Sequence, residues 1–204
     1  MVALGILFVS PASAGAVNCD TFPGVGDKTD PYVVSGTLED NLEITHGVCQ
    51  VIGTVEGNVM ITDEACAGWP GDLTTNGDKP FTAIDVSGGT IEGNIEASGG
   101  ACLMVWLEDG ASVEGNVIYA GQGNLVFKNV ISGEPGIAGA KVDGNLEVNG
   151  GFLSPSGSST SNYVDGNIIC NGGEPKKGLG SGSETDWDGD GTDDGTIGGN
   201  YESC

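Results

Sequence analysis

Apolar and polar positions along this chain fall into one recurring phrase: an aliphatic residue, an acid, Gly, Asn and a second apolar residue. Its copies are Leu38-Glu39-Asp40-Asn41-Leu42, Val55-Glu56-Gly57-Asn58-Val59, Ile91-Glu92-Gly93-Asn94-Ile95, Val113-Glu114-Gly115-Asn116-Val117, Val142-Asp143-Gly144-Asn145-Leu146, Val164-Asp165-Gly166-Asn167-Ile168 and Ile197-Gly198-Gly199-Asn200-Tyr201. Recurrence of one phrase marks an internal repeat. The Asn-to-Asn spacings are 17, 36, 22, 29, 22 and 33 residues, so a shortest unit of 17 is lengthened by insertions. Apolar residues stand at −3, +1 and usually +3 from each Asn, the period of two expected when one face of a strand is buried. Gly and Asn in the middle of the phrase argue against a helix.

One such strand per turn, stacked in parallel about 4.8 Å from the next, makes a rod on the order of 30 Å long. The predicted fold is therefore all-β: a single-stranded parallel β-helix, or β-solenoid, of about six to seven turns with projecting loops. Cys102 to Leu107, Leu125 to Val130 and Ala83 to Val86 supply second strands of their turns. An antiparallel sandwich also explains many short strands, but not one phrase at the same place in each unit. The predicted organisation is a signal peptide over residues 1–14, an N-terminal cap over 15–36 and the solenoid over 37–204, with insertions at 67–80, 132–140 and 171–196. The insertions are rich in turn residues and project from the rod, where a scaffold carries specificity.

Stacking converts repeated positions into columns. Asn41, Asn58, Asn94, Asn116, Asn145, Asn167 and Asn200 form a ladder of side-chain amides, a structural role. Two places earlier stand Glu39, Glu56, Glu92, Glu114, Asp143 and Asp165, an acidic stripe. Like charges about 5 Å apart repel by roughly 1 kcal/mol in water. The stripe reads as a plain solvated face, or as one decorated by calcium.

The first residues set the compartment. Val2 to Val9 are apolar and Ala12-Ser13-Ala14 has the small-x-small pattern of a signal-peptidase site, although no Lys or Arg precedes the apolar run. The expected localisation is secreted, extracellular or at the cell surface, with residues 1–14 removed or retained as an apolar arm, and with no membrane span because the run is too short. Six cysteines in an exported chain read as disulfides. Cys49, Cys66 and Cys102 each fall eight residues after an Asn and so share a column. The expected pairs are Cys19–Cys49, Cys66–Cys102 and Cys170–Cys204, with Cys49–Cys66 equally reachable.

Composition narrows the partners. The chain of 204 residues carries 29 Asp and Glu against six basic residues, all lysine, for a net charge of −23. Almost nothing is left to neutralise phosphate, so nucleic acid and acidic membranes are poor partners. Its 38 glycines follow no G-X-Y triplet, which excludes collagen.

Asp186-Trp187-Asp188-Gly189-Asp190-Gly191-Thr192-Asp193-Asp194 places carboxylates at positions 1, 3, 5 and 9 and Gly at position 6 of a calcium loop. The run resembles the Asp-rich calcium repeats of thrombospondin type 3 and dockerin-like modules. The resemblance implies calcium as cofactor, with carboxylates from Asp186, Asp188, Asp190 and Asp194 and a backbone carbonyl from Thr192. Position 12 is Ile197 rather than a bidentate Glu, so further ligands come from elsewhere. An acidic flexible loop is the alternative.

The Val-Glu-Gly-Asn-Ile/Val phrase, above all Thr90 to Ala97, resembles the repeats of bactofilins, which are polymer-forming β-solenoid proteins. Gly166 to Cys170 and Gly198 to Cys204 are similar to exported bacterial β-solenoid proteins of uncharacterised function. These resemblances span about Thr37 to Cys204 and imply a structural protein that self-associates as a homo-polymer. The export signal, cysteines and calcium-like loop depart from bactofilins, which argues against a cytoskeletal role and leaves end-to-end polymerisation open.

No nucleophile elbow, phosphate loop or zinc motif is present, and His46 reads as a turn residue. The expected function is that of an exported non-catalytic structural protein, calcium-assisted, forming extracellular filaments or a surface layer. The alternative is a cell-surface adhesin or carbohydrate-binding module that meets an extracellular glycan through Trp69, Trp106, Trp187 or the loops. A polysaccharide lyase or hydrolase ranks below both, because the β-solenoid also hosts such enzymes but this chain is short of cations.

Overall fold

The structure is a computed structural model that describes residues 15–27, 29–63, 82–100, 103–121, 124–128, 140–150, 152–156, 162–171, 174–175 and 195–202. Among these residues the chain forms three sheets, of eight, seven and seven strands, with every pairing parallel. The first sheet contains Ala16–Asn18, Asn41–Ile44, Val59–Asp63, Ile95–Gly99, Val117–Ala120, Leu146–Val148, Ile168–Cys170 and Tyr201–Glu202. Tyr32–Val34, Val48–Val51, Thr82–Ser87, Leu103–Glu108, Asn124–Lys128, Phe152–Ser156 and Glu174–Pro175 make the second. The third consists of Thr37–Leu38, Thr54–Val55, Thr90–Ile91, Ser112–Val113, Lys141–Val142, Asn162–Val164 and Gly195–Ile197. From Ala16 to Glu202 the chain visits first, second and third sheet in that repeating order, each visit lying beside the one before. Parallel pairing throughout rules out the antiparallel sandwich for these residues.

The recurring phrase is not one strand. Ile91 ends a third-sheet strand, Glu92-Gly93-Asn94 turn a corner, and Ile95 opens a first-sheet strand. The apolar residue at −3 therefore faces the core from a different sheet than those at +1 and +3, and the even spacing survives because both strands point a side chain inward. Crowding at the corner explains the glycine. A Cβ on Gly93 would lie 2.5 Å from the carbonyl oxygen of Gly57 and 2.7 Å from Asn58 Oδ1. Asp40 occupies the equivalent place in the first copy, where Ala16 rather than an Asn stands in the preceding layer.

All three sheets share one apolar core. Leu42, Val59, Ile95 and Val117 enter it from the first sheet, Ile84, Val105 and Leu107 from the second, and Val55, Ile91 and Val113 from the third, all fully buried. Removing each such side chain from water stabilises the fold by about 1.5–3 kcal/mol before chain entropy is counted. Strand Leu103–Glu108 shows the underlying alternation, with Leu103, Val105 and Leu107 inside and Met104, Trp106 and Glu108 half-exposed. Tyr119 is also fully buried, and its hydroxyl donates to the Leu103 carbonyl at 3.1 Å. On the outer face of the first sheet one row runs Glu43, Met60, Glu96, Ile118, Glu147, Ile169 across successive strands, alternating acid with apolar. Consecutive glutamates in that row are thus two strands apart, roughly 10 Å, about one Debye length.

The segment read as a cap already contributes strands, Ala16–Asn18 and Tyr32–Val34. Between them a short 3-10 helix, Cys19–Thr21, starts at Asn18, whose side chain accepts from the Asp20 N–H, and Cys19 is bonded to Cys49 with a Cα separation of 6.1 Å. The Val33 N–H donates to the Pro23 carbonyl at 2.9 Å, so the loop covers part of the second sheet's first edge.

Two further expectations are corrected. Cys49 does not share a column with Cys66 and Cys102: it pairs in register with Ile84, which pairs with Val105. Cys66 and Cys102 lie outside the described residues. The stretch 171–196 is likewise not wholly a projecting insertion, because Glu174–Pro175 pairs with Phe152 and Leu153, and Gly195–Ile197 pairs with Asn162–Val164. Short strands with Pro and Gly show no alternation to read. The insertion at 67–80 lies outside the described residues. Of 132–140 only Ala140 is described, fully buried, its N–H donating to Asn162 Oδ1 at 3.0 Å.

Candidate functional site

The outer face of the second sheet carries an open cavity of about 370 Å³. Register places Gln50, Asp85 and Trp106 side by side on three neighbouring strands, and Glu108 follows Trp106 by two residues on the same face. Gln50 Nε2 donates to Asp85 Oδ2 at 3.0 Å, which fixes amide and carboxylate relative to each other. Val48 forms the floor; Thr29 and Pro31 form one wall. That wall is shaped by Asp27, whose Oδ1 accepts from the Thr29 N–H at 2.8 Å, the Thr29 hydroxyl at 2.7 Å and the Asp30 N–H at 2.8 Å. The Thr29 hydroxyl, then the backbone N–H groups of Asp30 and Thr29, hold the Asp27 carboxyl below its ordinary range. The cavity thus presents an indole, a carboxamide and two carboxylates, a set suited to holding a polar ligand with a flat face.

At the sheet corner the asparagines meet. Asn94 donates its backbone N–H to Asn58 Oδ1 at 2.9 Å and its Nδ2 to the same oxygen at 3.1 Å. The double contact recurs from Asn116 to Asn94, Asn145 to Asn116, Asn167 to Asn145 and Asn200 to Asn167, while Asn58 donates its N–H to Asn41 Oδ1 at 2.7 Å. A backbone donor that the corner withdraws from the sheets is satisfied by the preceding side chain, and this accounts for Asn at that position.

The acids Glu39, Glu56, Glu92, Glu114, Asp143 and Asp165 follow residues that pair in register across the third sheet, and all but the half-buried Asp143 are exposed. Lys141 forms an ion pair with Asp143, and Tyr163 donates its hydroxyl to Asp165 Oδ1 at 2.7 Å. Where Thr or Ser stands two residues earlier the acid is Glu, and where Lys141 or Tyr163 stands there it is the shorter Asp. Hydrogen bonding to Asp143 raises the Lys141 pKa, and hydrogen bonding to Asp165 raises that of Tyr163. Among the described residues no group of three or more His, Cys, Asp or Glu is arranged to hold a metal ion.

The calcium-loop residues Asp186, Asp188, Asp190, Thr192 and Asp194 lie outside the described residues, as do Trp69, Trp187, Cys66, Cys102 and Cys204. Cys170 is disulfide-bonded. His46 sits in a bend, its Nδ1 3.2 Å from the Thr45 hydroxyl and its Nε2 3.9 Å from Asp20 Oδ2. No sequence motif marks Gln50, Asp85 or Glu108, although the alternation through Cys49–Val51, Ile84–Val86 and Val105–Leu107 turns Gln50, Asp85 and Trp106 outward.

No helix among the described residues is long and apolar enough to cross a membrane. A scan against protein-family models and searches of curated proteins and of solved structures found no match.

Proposed function

We propose that this chain is an exported, non-catalytic structural protein, a closed β-solenoid of about six to seven turns whose rods join end to end into extracellular filaments or a surface layer. The carrying observation is the edge made by Tyr201–Glu202, Glu174–Pro175 and Gly195–Ile197, the last strand of each sheet, with no further partner strand among the described residues. An open row of backbone donors and acceptors recruits further strands, and a head-to-tail contact that does not close propagates as a fibre. The repeating order of sheets around one core supports closure. The disulfides and the small-x-small site support an extracellular setting. Calcium held by Asp186, Asp188, Asp190, Thr192 and Asp194 is the proposed stabiliser of the assembly. Negative-stain micrographs of purified protein with calcium and with chelator test the reading. Regular filaments about one solenoid wide are expected, more of them with calcium; monomeric rods at high concentration under both conditions sink it.

A second reading, a surface-binding module for glycans, is favoured by the cavity around Trp106, where an aromatic face and carboxylates lie together on one open sheet surface.

A further inference from the structure

We infer that the cavity on the second sheet binds a neutral pyranose residue of a glycan, stacked on Trp106 and hydrogen-bonded by Asp85, Gln50 and Glu108. This deepens the glycan-binding reading by naming the site and the sugar class. A pyranose ring has an apolar C–H face and a rim of hydroxyls, and the cavity offers a match to each. The half-exposed Trp106 supplies a flat apolar platform. Asp85 stands one strand away, about 4.8 Å, and Glu108 two residues along, roughly 7 Å, so the polar groups flank the indole at about the width of one sugar ring. Glu108 and Asp85 Oδ2 accept from neighbouring hydroxyls, Asp85 Oδ1 being buried, and the Gln50 carboxamide adds another acceptor oxygen. The 3.0 Å bond from Gln50 to Asp85 holds that pair in place before ligand arrives, which lowers the cost of ordering it. At about 370 Å³ the cavity lies at the small end of ligand sites and suits one or two sugar units rather than a buried chain.

Charge selects among sugars. Among the described residues the lining holds two carboxylates and no Lys, Arg or His, Lys128 pairs in register with Glu108 on the neighbouring strand, and the chain carries a net charge of −23. A uronate or sulfated sugar would be repelled, whereas neutral hydroxyls suit acceptors of this kind.

The test is isothermal calorimetry on the full chain with neutral gluco-, manno-, galacto- and xylo-tetraoses and with tetragalacturonate. Binding of at least one neutral tetraose is expected, at least about tenfold tighter than tetragalacturonate. Trp106→Ala should weaken it at least about tenfold and Trp106→Phe less, with circular dichroism and the melting temperature verifying that each variant is folded. Trp69→Ala and Trp187→Ala should leave it unchanged. Binding that survives Trp106→Ala but is lost with Trp69 or Trp187 overturns this site while sparing the glycan-binding reading. Equal affinity for tetragalacturonate overturns the sugar class, and silence across all the sugars overturns site and reading together.

Discussion

Asn94 Oδ1 accepts two hydrogen bonds from Asn116, one from its backbone N–H at 2.8 Å and one from its side-chain amide at 3.1 Å. One side chain therefore satisfies a backbone donor in the next layer and aligns the next member of its own column. Asn94→Ala removes the acceptor and leaves the Asn116 N–H to find water at a partly buried corner. A loss of about 1–3 kcal/mol is expected in urea unfolding. Asn200→Ala, the exposed last member among the described residues, should cost less than about 1 kcal/mol. Equal costs at the two positions would contradict the relay.

Glycine content separates into two populations. Gly115→Ala would place a Cβ 2.5 Å from the Gly93 carbonyl oxygen and 2.7 Å from Asn94 Oδ1, so the layer must shift or the amide must let go. A melting temperature at least several degrees lower is expected, in line with overpacking costs of about 1–3 kcal/mol. A Cβ on Gly36 would meet nothing within 4 Å, and its φ is not left-handed, so Gly36→Ala should be neutral or stabilise by about 0.4–1 kcal/mol. Differential scanning calorimetry of the two variants decides it.

The Cys19–Cys49 bond closes a loop with a sequence separation of 30. A loop of that size stabilises by about 3–4 kcal/mol through the unfolded chain. The Cys19→Ala/Cys49→Ala double variant should therefore melt several degrees lower, with the loss concentrated at the N-terminal end. Hydrogen exchange should show Tyr32–Val34 and Val48–Val51 losing protection before Leu103–Glu108. Uniform loss along the chain would contradict a local tie.

Tyr163 and Lys141 both hold their protons more tightly in the folded protein than in the unfolded chain. Their bonds to Asp165 and Asp143 contribute below the ordinary tyrosine and lysine ranges and are lost as pH rises through the folded values. Tyr163 should thus titrate above the ordinary tyrosine range in a carbon-13 NMR titration, and Asp165→Asn should bring it back toward that range. Asp27 runs in the opposite direction. Its contribution is present above the ordinary aspartate range and is lost as pH falls through the depressed folded value, loosening the Thr29 to Pro31 wall in acid. Thr29→Ala should raise the Asp27 pKa.

Much of the architecture is legible in the phrase because the Asn and Gly positions are dictated locally. Asn58 and Asn94 are 36 residues apart yet touch, and no intervening length alters what each corner requires. What the sequence does not reveal is anything that depends on path length between corners. The cysteine column fails because an equal count from each Asn does not give equal register on the second sheet, where Cys49 meets Ile84 and Val105. The third sheet is not legible as a separate sheet because its strands are two or three residues long, too short for a period of their own, and its aliphatic at −3 reads as part of the first-sheet phrase. The Trp106 cavity gathers side chains from strands whose only common property is register, as with Gln50 and Asp85, 35 residues apart.

The alternation of Glu43, Met60, Glu96, Ile118, Glu147 and Ile169 down the first sheet imposes a parity on growth. Duplicating or deleting a single layer would set two glutamates, or two aliphatic residues, on adjacent strands. Duplicating or deleting a pair of layers leaves the order intact. An engineered chain that keeps this row in order should therefore be lengthened or shortened by even numbers of layers.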